Sequence, residues 1–316
     1  MNPYLLAAII ILGVIALFFI VTFLITLVIF KKAFGRAKEL PPNSVEIYKD
    51  YFTEMQKAVD WFEGLNPEKV SITSFDGLKL HADLLIKPNA RATVILMHGY
   101  HGRAKYDFSL VLPFFYEKGF NILLPDQRAH GKSEGKYLTF GTFESVDCLY
   151  WAKYIASRFN GLPIDLHGVS MGGSTVMMTA RFDDLPSEVK CITSDCGFTS
   201  PDAIISNVRK IMHLPFFPFQ HYVRFLAKHV AKFDLCEVDT TKILCNNKLP
   251  LFLLHGEKDT FVPTEMSLLN NEISASENKR LLIIKDATHA MSYVLEPQTV
   301  EAAFYEFFDQ VIPWNN

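Results

Sequence analysis

Gly168-Val169-Ser170-Met171-Gly172 places a serine between two glycines at the spacing of a nucleophile turn. A serine hydroxyl attacks a carbonyl only when a base removes its proton. A neutral histidine suits that work near pH 7, and a carboxylate is needed to fix the histidine's tautomer and stabilise the imidazolium. The chain has ten histidines, so the serine alone does not select its base. The residues before Ser170 read as the end of a strand and those after it as a helix, which predicts a sharp, strained turn. A Cβ at Gly168 or Gly172 would collide across that turn. The helix start would aim the Met171 N–H at a developing oxyanion. HExxH, paired CxxC and Walker loops are missing from the sequence, and no metal or organic cofactor is implied.

Such a turn needs a sheet to stand on. Short apolar, β-branched runs predict eight strands, at Val70–Ser74, Leu78–Ile86, Thr93–Met97, Asn121–Leu124, Ile164–His167, Cys191–Ser194, Leu251–His255 and Arg280–Ile284. Phe75-Asp76-Gly77 reads as a hairpin between the first two. Later runs are separated by helical patterns such as Phe143–Phe159 and Ser174–Phe182. A mostly parallel sheet covered on both faces follows, with ligands at the carboxyl ends of its strands.

Several motifs then resemble the α/β-hydrolase superfamily, in its serine-aminopeptidase and monoacylglycerol-lipase-like branch, over roughly residues 70–310. His98-Gly99-Tyr100-His101-Gly102 follows the third strand, where the family has its second oxyanion donor, implying the Tyr100 N–H. Asp126-Gln127-Arg128-Ala129-His130-Gly131-Lys132-Ser133 is similar to the family's DxRGxGxS turn, with Ala129 replacing a glycine. His255-Gly256-Glu257-Lys258-Asp259 and Ala287-Thr288-His289-Ala290 resemble the segments that carry the triad acid and base. The resemblance implies an α/β-hydrolase fold with an eight-stranded, mostly parallel sheet, a helical lid, and catalytic Ser170, Asp259 and His289. Asp195, ending the sixth strand, competes with Asp259 for the acid, and the remaining histidines read as structural.

The insertion at about 200–249 is the expected lid. Phe216, Phe217 and Phe219, with Phe225, are read either as an acyl-binding wall or as plain packing against the sheet. The implied reaction is cleavage of carboxylic esters through an acyl-enzyme on Ser170. Peptidase, amidase or acyltransferase chemistry with the same triad, or a non-catalytic membrane scaffold, are the alternatives. A serine in the turn argues against the aspartate-dependent dehalogenases and epoxide hydrolases of the same fold.

Hydropathy adds a second segment. Leu5–Phe30 is 26 residues without a charge, about 39 Å as a helix, which exceeds the ~30 Å hydrocarbon core. It is too long and too poor in preceding positive charge for a cleaved signal peptide, and it predicts one transmembrane anchor. Lys31, Lys32, Arg36 and Lys38 follow it at once, so the positive-inside rule places the body in the cytoplasm. Residues 1–38 are expected to form the anchor and basic segment, 39–69 a linker with a short helix hinged at Pro41-Pro42, and 70–316 the hydrolase domain. From Glu39 onward the chain carries 27 basic and 34 acidic side chains. A body of that balance offers no footprint for nucleic acid, and the implied partners are a small ester or lipid-like substrate and the membrane. Five cysteines, Cys148, Cys191, Cys196, Cys236 and Cys245, without paired spacing suit a reducing compartment.

Overall fold

The computed structural model describes residues 1–37 and 46–312, so Lys38 and the hinge expected at Pro41-Pro42 lie outside the described residues. Eight strands build one sheet: β1 (Glu68–Thr73), β2 (Lys79–Leu85), β3 (Ala92–Met97), β4 (Phe120–Pro125), β5 (Ile164–Val169), β6 (Val189–Asp195), β7 (Leu251–Gly256) and β8 (Lys279–Ile284). Their order is β1-β2-β4-β3-β5-β6-β7-β8. β2 is antiparallel to both β1 and β4, and all other neighbours are parallel. Every residue of β3, β4, β5 and β7 is buried, as strands covered on both faces must be. Edge strand β1 has no fully buried residue.

The helices are α1 (Pro3–Phe34), α2 (Phe52–Gly64), α3 (Ala104–Asp107), α4 (Leu112–Glu117), α5 (Glu144–Arg158), α6 (Met171–Thr179), α7 (Pro201–Ile211), α8 (Phe219–Leu226), α9 (Thr240–Leu244), α10 (Glu265–Ile273), α11 (Ser292–Leu295) and α12 (Pro297–Val311). On one face of the sheet Phe62, Phe115, Phe304 and Phe308 pack on Phe120 and Phe252. On the other, Trp151, Val176 and Met177 cover Ile95, Leu166 and Ile192. α2 falls in the stretch expected to be a linker, yet it buries Met55, Val59 and Phe62 and is packed as part of the body. α6 starts three residues earlier than the helical pattern suggested. Gly172 and Gly173 are poor helix formers, but here they occupy a first turn pressed against the sheet, where a side chain has no room.

The long N-terminal helix has two different halves. Its residues up to Val21 are almost all exposed, whereas Thr22, Thr26, Phe30 and Phe34 are buried at a four-residue spacing that aligns them on one face. Phe30 and Phe34 join a third core cluster with Ala129, Phe140, Met171, Phe198 and Phe233. Beyond the helix the chain continues along the body. The Leu138 N–H donates to the Phe34 carbonyl at 3.0 Å, and the Ala37 N–H to that of Ala129 at 2.9 Å. The Arg36 guanidinium donates to the Gly131 and Ser133 carbonyls at 2.6 and 2.7 Å. Ala129 holds φ 59°, a conformation glycine adopts without strain, and its methyl lies in the cluster with Phe30 and Phe34.

Candidate active site

Ser170 stands between the last residue of β5 and the first of α6 with φ 55° and ψ −116°. The geometry explains both flanking glycines: a Cβ on Gly172 would lie 1.8 Å from the Met97 carbonyl oxygen, and one on Gly168 2.1 Å from that of Gly172. The Ser170 N–H donates to the Asp195 carbonyl at 2.8 Å, which ties the turn to the end of β6.

His289, in the loop after β8, brings Nε2 within 2.8 Å of Ser170 Oγ and Nδ1 within 2.6 Å of Asp259 Oδ2. Asp259 sits in the loop after β7, and the Phe261 and Val262 N–H groups donate to its other oxygen at 2.9 Å each. Burial raises the Asp259 carboxyl, but hydrogen bonds from His255 and His289 and the Val262 N–H outweigh it and hold the group down at about 2. His255 was read from sequence only as a packing or hydrogen-bonding residue. It shares its Nε2–H between the Val262 carbonyl at 2.9 Å and Asp259 Oδ2 at 3.2 Å, while Ser267 Oγ approaches Nδ1 at 2.7 Å. Asp195, the competing acid, makes no hydrogen bond to His289. One of its oxygens is buried without a partner, and burial raises its carboxyl to about 6 against the pull of the surrounding histidines.

The expected oxyanion donors are adjacent to the serine. Met171 opens α6, so its N–H is one of those at a helix start that lack an acceptor within the helix. Tyr100 follows Gly99, whose missing Cβ would be 3.5 Å from Ser170 Cβ. The loop is pinned from beneath: Asp107 Oδ2 accepts the Gly99 N–H at 2.8 Å, and His98 Nε2 accepts the Gln127 N–H at 3.0 Å. From the other side the Tyr100 ring stacks on His101 and Phe140, and Phe140 meets Phe34 of α1 edge to face. Burial pushes the Tyr100 phenol up to about 12.

A cavity of about 670 Å³ opens over Ser170 and His289, with Phe108, Leu110, Val111, Met291 and Val294 among its walls. Phe216, Phe217 and Phe219 are not in it. Phe217 is 60% exposed and packs edge to face on Phe19 of α1, Phe216 lies against His221 and is half exposed, and Phe219 is buried at the start of α8. Phe225 is exposed beside His229. The sequence also gave no sign that Lys31, Lys32 and Arg36 would line this same cavity. Among the described residues Cys196, Asp259 and His289 are the one set whose metal-ligating atoms converge, within 4.8 Å of one another. Both His289 nitrogens are already engaged by Ser170 and Asp259, so the arrangement is that of a hydrogen-bonded relay. All five cysteines are free thiols.

This sheet order, with a serine turn after β5 and a histidine loop after β8, defines an α/β hydrolase. Residues 92–236 match the alpha/beta hydrolase fold family, and the eight-stranded sheet with its helices has the α/β-hydrolase fold. It is similar to the solved esterase Pf2001 of Pyrococcus furiosus, with TM-score 0.65 and 26% identity over 79% of this chain and 94% of that one. It is also 26% identical over 222 residues to the uncharacterized protein YqkD of Bacillus subtilis, covering 69% of this chain and 72% of that one. The uncharacterized membrane protein YNL320W of Saccharomyces cerevisiae is 24% identical over 229 residues, 72% of this chain and 74% of its own. The fold and its esterase neighbours support hydrolase activity on a small molecule.

Proposed function

We propose that this chain is a membrane-attached serine hydrolase that cleaves carboxylic esters through an acyl-enzyme on Ser170. The observation that carries the reading is the continuous relay from Ser170 Oγ through His289 to Asp259 at the floor of an apolar cavity. Asp259, ionised at any working pH, holds the proton on Nδ1, which leaves Nε2 free to take the serine proton as Oγ attacks the ester carbonyl. The tetrahedral oxyanion is met by the Met171 and Tyr100 N–H groups. The imidazolium then returns its proton to the leaving alcohol, and water, activated by the same Nε2, releases the acid. Peptidase or acyltransferase chemistry would use the same three side chains and differ in leaving group or acceptor.

Helix α1, 32 residues long and about 48 Å, is read as the anchor, with the basic residues at its C-terminal end setting the body in the cytoplasm. Hydrolysis of p-nitrophenyl esters by the full chain tests the reaction. Ser170→Ala is expected to abolish it, and Asp259→Asn to lower turnover about 10³-fold or more, with Asp195→Asn far milder. Activity retained without Ser170 would remove the mechanism, and the reverse ranking of the aspartates would move the acid to β6.

A further inference from the structure

The N-terminal segment sets three cations at the border of the cavity over Ser170: Lys31 and Lys32 in the last turn of α1, and Arg36 just beyond it. No carboxylate among the described residues pairs with any of them. Arg36 donates to backbone carbonyls, which hold its guanidinium without cancelling its charge. A body that is acidic overall therefore presents the positive charge of these three residues at one rim of a largely apolar pocket whose other charged lining residues are Arg103, Asp107 and Asp195.

The level of that rim follows from α1. The lid touches the anchor at Phe19, through Phe217, and at Phe23, through Tyr222. These points lie about 18 and 12 Å below Lys31 along the helix, at ~1.5 Å per residue. With the two lysines among lipid headgroups, the exposed Phe217 of the lid, packed on Phe19, sits at the depth of the acyl chains. The lid, residues 200–249, carries seven basic side chains against Asp202, Asp234, Glu237 and Asp239, with Arg224 paired to Asp202 and Lys228 to Asp234, and its net sign is the one that an anionic leaflet attracts.

We infer that the site takes a single-chain lipid ester with an anionic, phosphate-type headgroup, drawn from the leaflet next to the body, with Lys31 and Lys32 holding the headgroup while the acyl chain lies along the apolar wall. This rests on the hydrolase reading for its chemistry. The acyl C–O bond breaks, the acyl carbon passes to Ser170 Oγ and then to the hydroxyl of water, and the headgroup oxygen leaves as an alcohol with the proton from His289. The competing role of the lysines is topogenic only, and it predicts no preference among headgroups.

The test uses the full chain in detergent micelles with 1-acylglycerol and 1-acylglycerol 3-phosphate of the same chain length, and with their uncleavable ether counterparts for binding. The phosphate ester is expected to have a kcat/KM at least about 10-fold above the neutral one, and the double variant Lys31→Gln, Lys32→Gln to bring that ratio within about twofold, chiefly through KM. The ether phosphate should likewise bind at least about 10-fold tighter than the neutral ether, a gap the double variant closes. Glycerol 3-phosphate, lacking a chain, should not compete at equal concentration. Equal use of both esters, equal loss of both in the variant, or effective competition by glycerol 3-phosphate overturns the inference. If the ether phosphate shows the lysine-dependent gap while neither ester is cleaved, the hydrolase reading fails and the headgroup site stands.

Discussion

The two halves of α1 are both rich in apolar residues and have different surroundings. From Pro3 to Val21 the helix is exposed on nearly every face, which suits a segment whose solvent is lipid. From Thr22 to Phe34 it gives up one face to the body. The second half reaches the chemistry in two contacts, Phe34 to Phe140 to Tyr100. An apolar run can thus be exposed at one end and core at the other. Ala129 fits this: the methyl that a glycine would lack is buried beside Phe30 and Phe34, at a backbone angle that disfavours it.

The sharpest way to break this comparison is to cut and to swap. Removing residues 1–37 should lower ester turnover at least about 100-fold, because the loop carrying the Tyr100 N–H loses its support, and misplacement by an ångström costs that much. Replacing Ile9–Phe18 by leucines should keep turnover within about twofold. Equal effects of the two changes, read with p-nitrophenyl butyrate in detergent, would mean that the docked half is only a tether. Phe34→Ala refines the point without deleting the helix: a fully enclosed phenylalanine costs about 3–5 kcal/mol, a fall of several degrees in Tm, whereas Phe18→Ala, half exposed, should be within about 0.5 kcal/mol.

The smallest effect concerns acid. Burial lowers the His101 imidazole below its ordinary value, and lowers that of His130, 6.1 Å away ring to ring, much further. Below about pH 6.5 the unfolded chain therefore binds protons that the folded junction resists. The stability of the junction is full above that pH and is lost as pH falls through the folded values. Wild type should lose more Tm between pH 7.5 and 5.5 than His101→Gln does. An identical loss in both would take His101 out of the junction's acid response.

What the sequence made legible follows the physics of each signal. The central strands β3, β4, β5 and β7 were readable because fully buried strands are continuous apolar runs, β1 and β2 through the turn residues between them, and the serine turn because steric demand at Gly168 and Gly172 admits no other residue. Asp259 and His289 were found through motif resemblance, and the geometry brings them onto Ser170 in order. The lid phenylalanines went astray because an apolar side chain does not announce whether its apolar neighbour is substrate, core or lipid. The docked half of α1 was hidden for a related reason: the buried stripe Thr22, Thr26, Phe30, Phe34 is no more apolar than the exposed faces around it, so hydropathy does not mark it as the packed side.

The central claim is that Ser170 is a nucleophile activated by His289. Treating the full chain with a fluorophosphonate and mapping the adduct by mass spectrometry tests it directly. One adduct per chain is predicted, on the peptide that contains Ser170, with its rate of formation reduced by orders of magnitude in His289→Ala. An unlabelled chain, an adduct on a different serine, or labelling indifferent to the loss of His289 would contradict it.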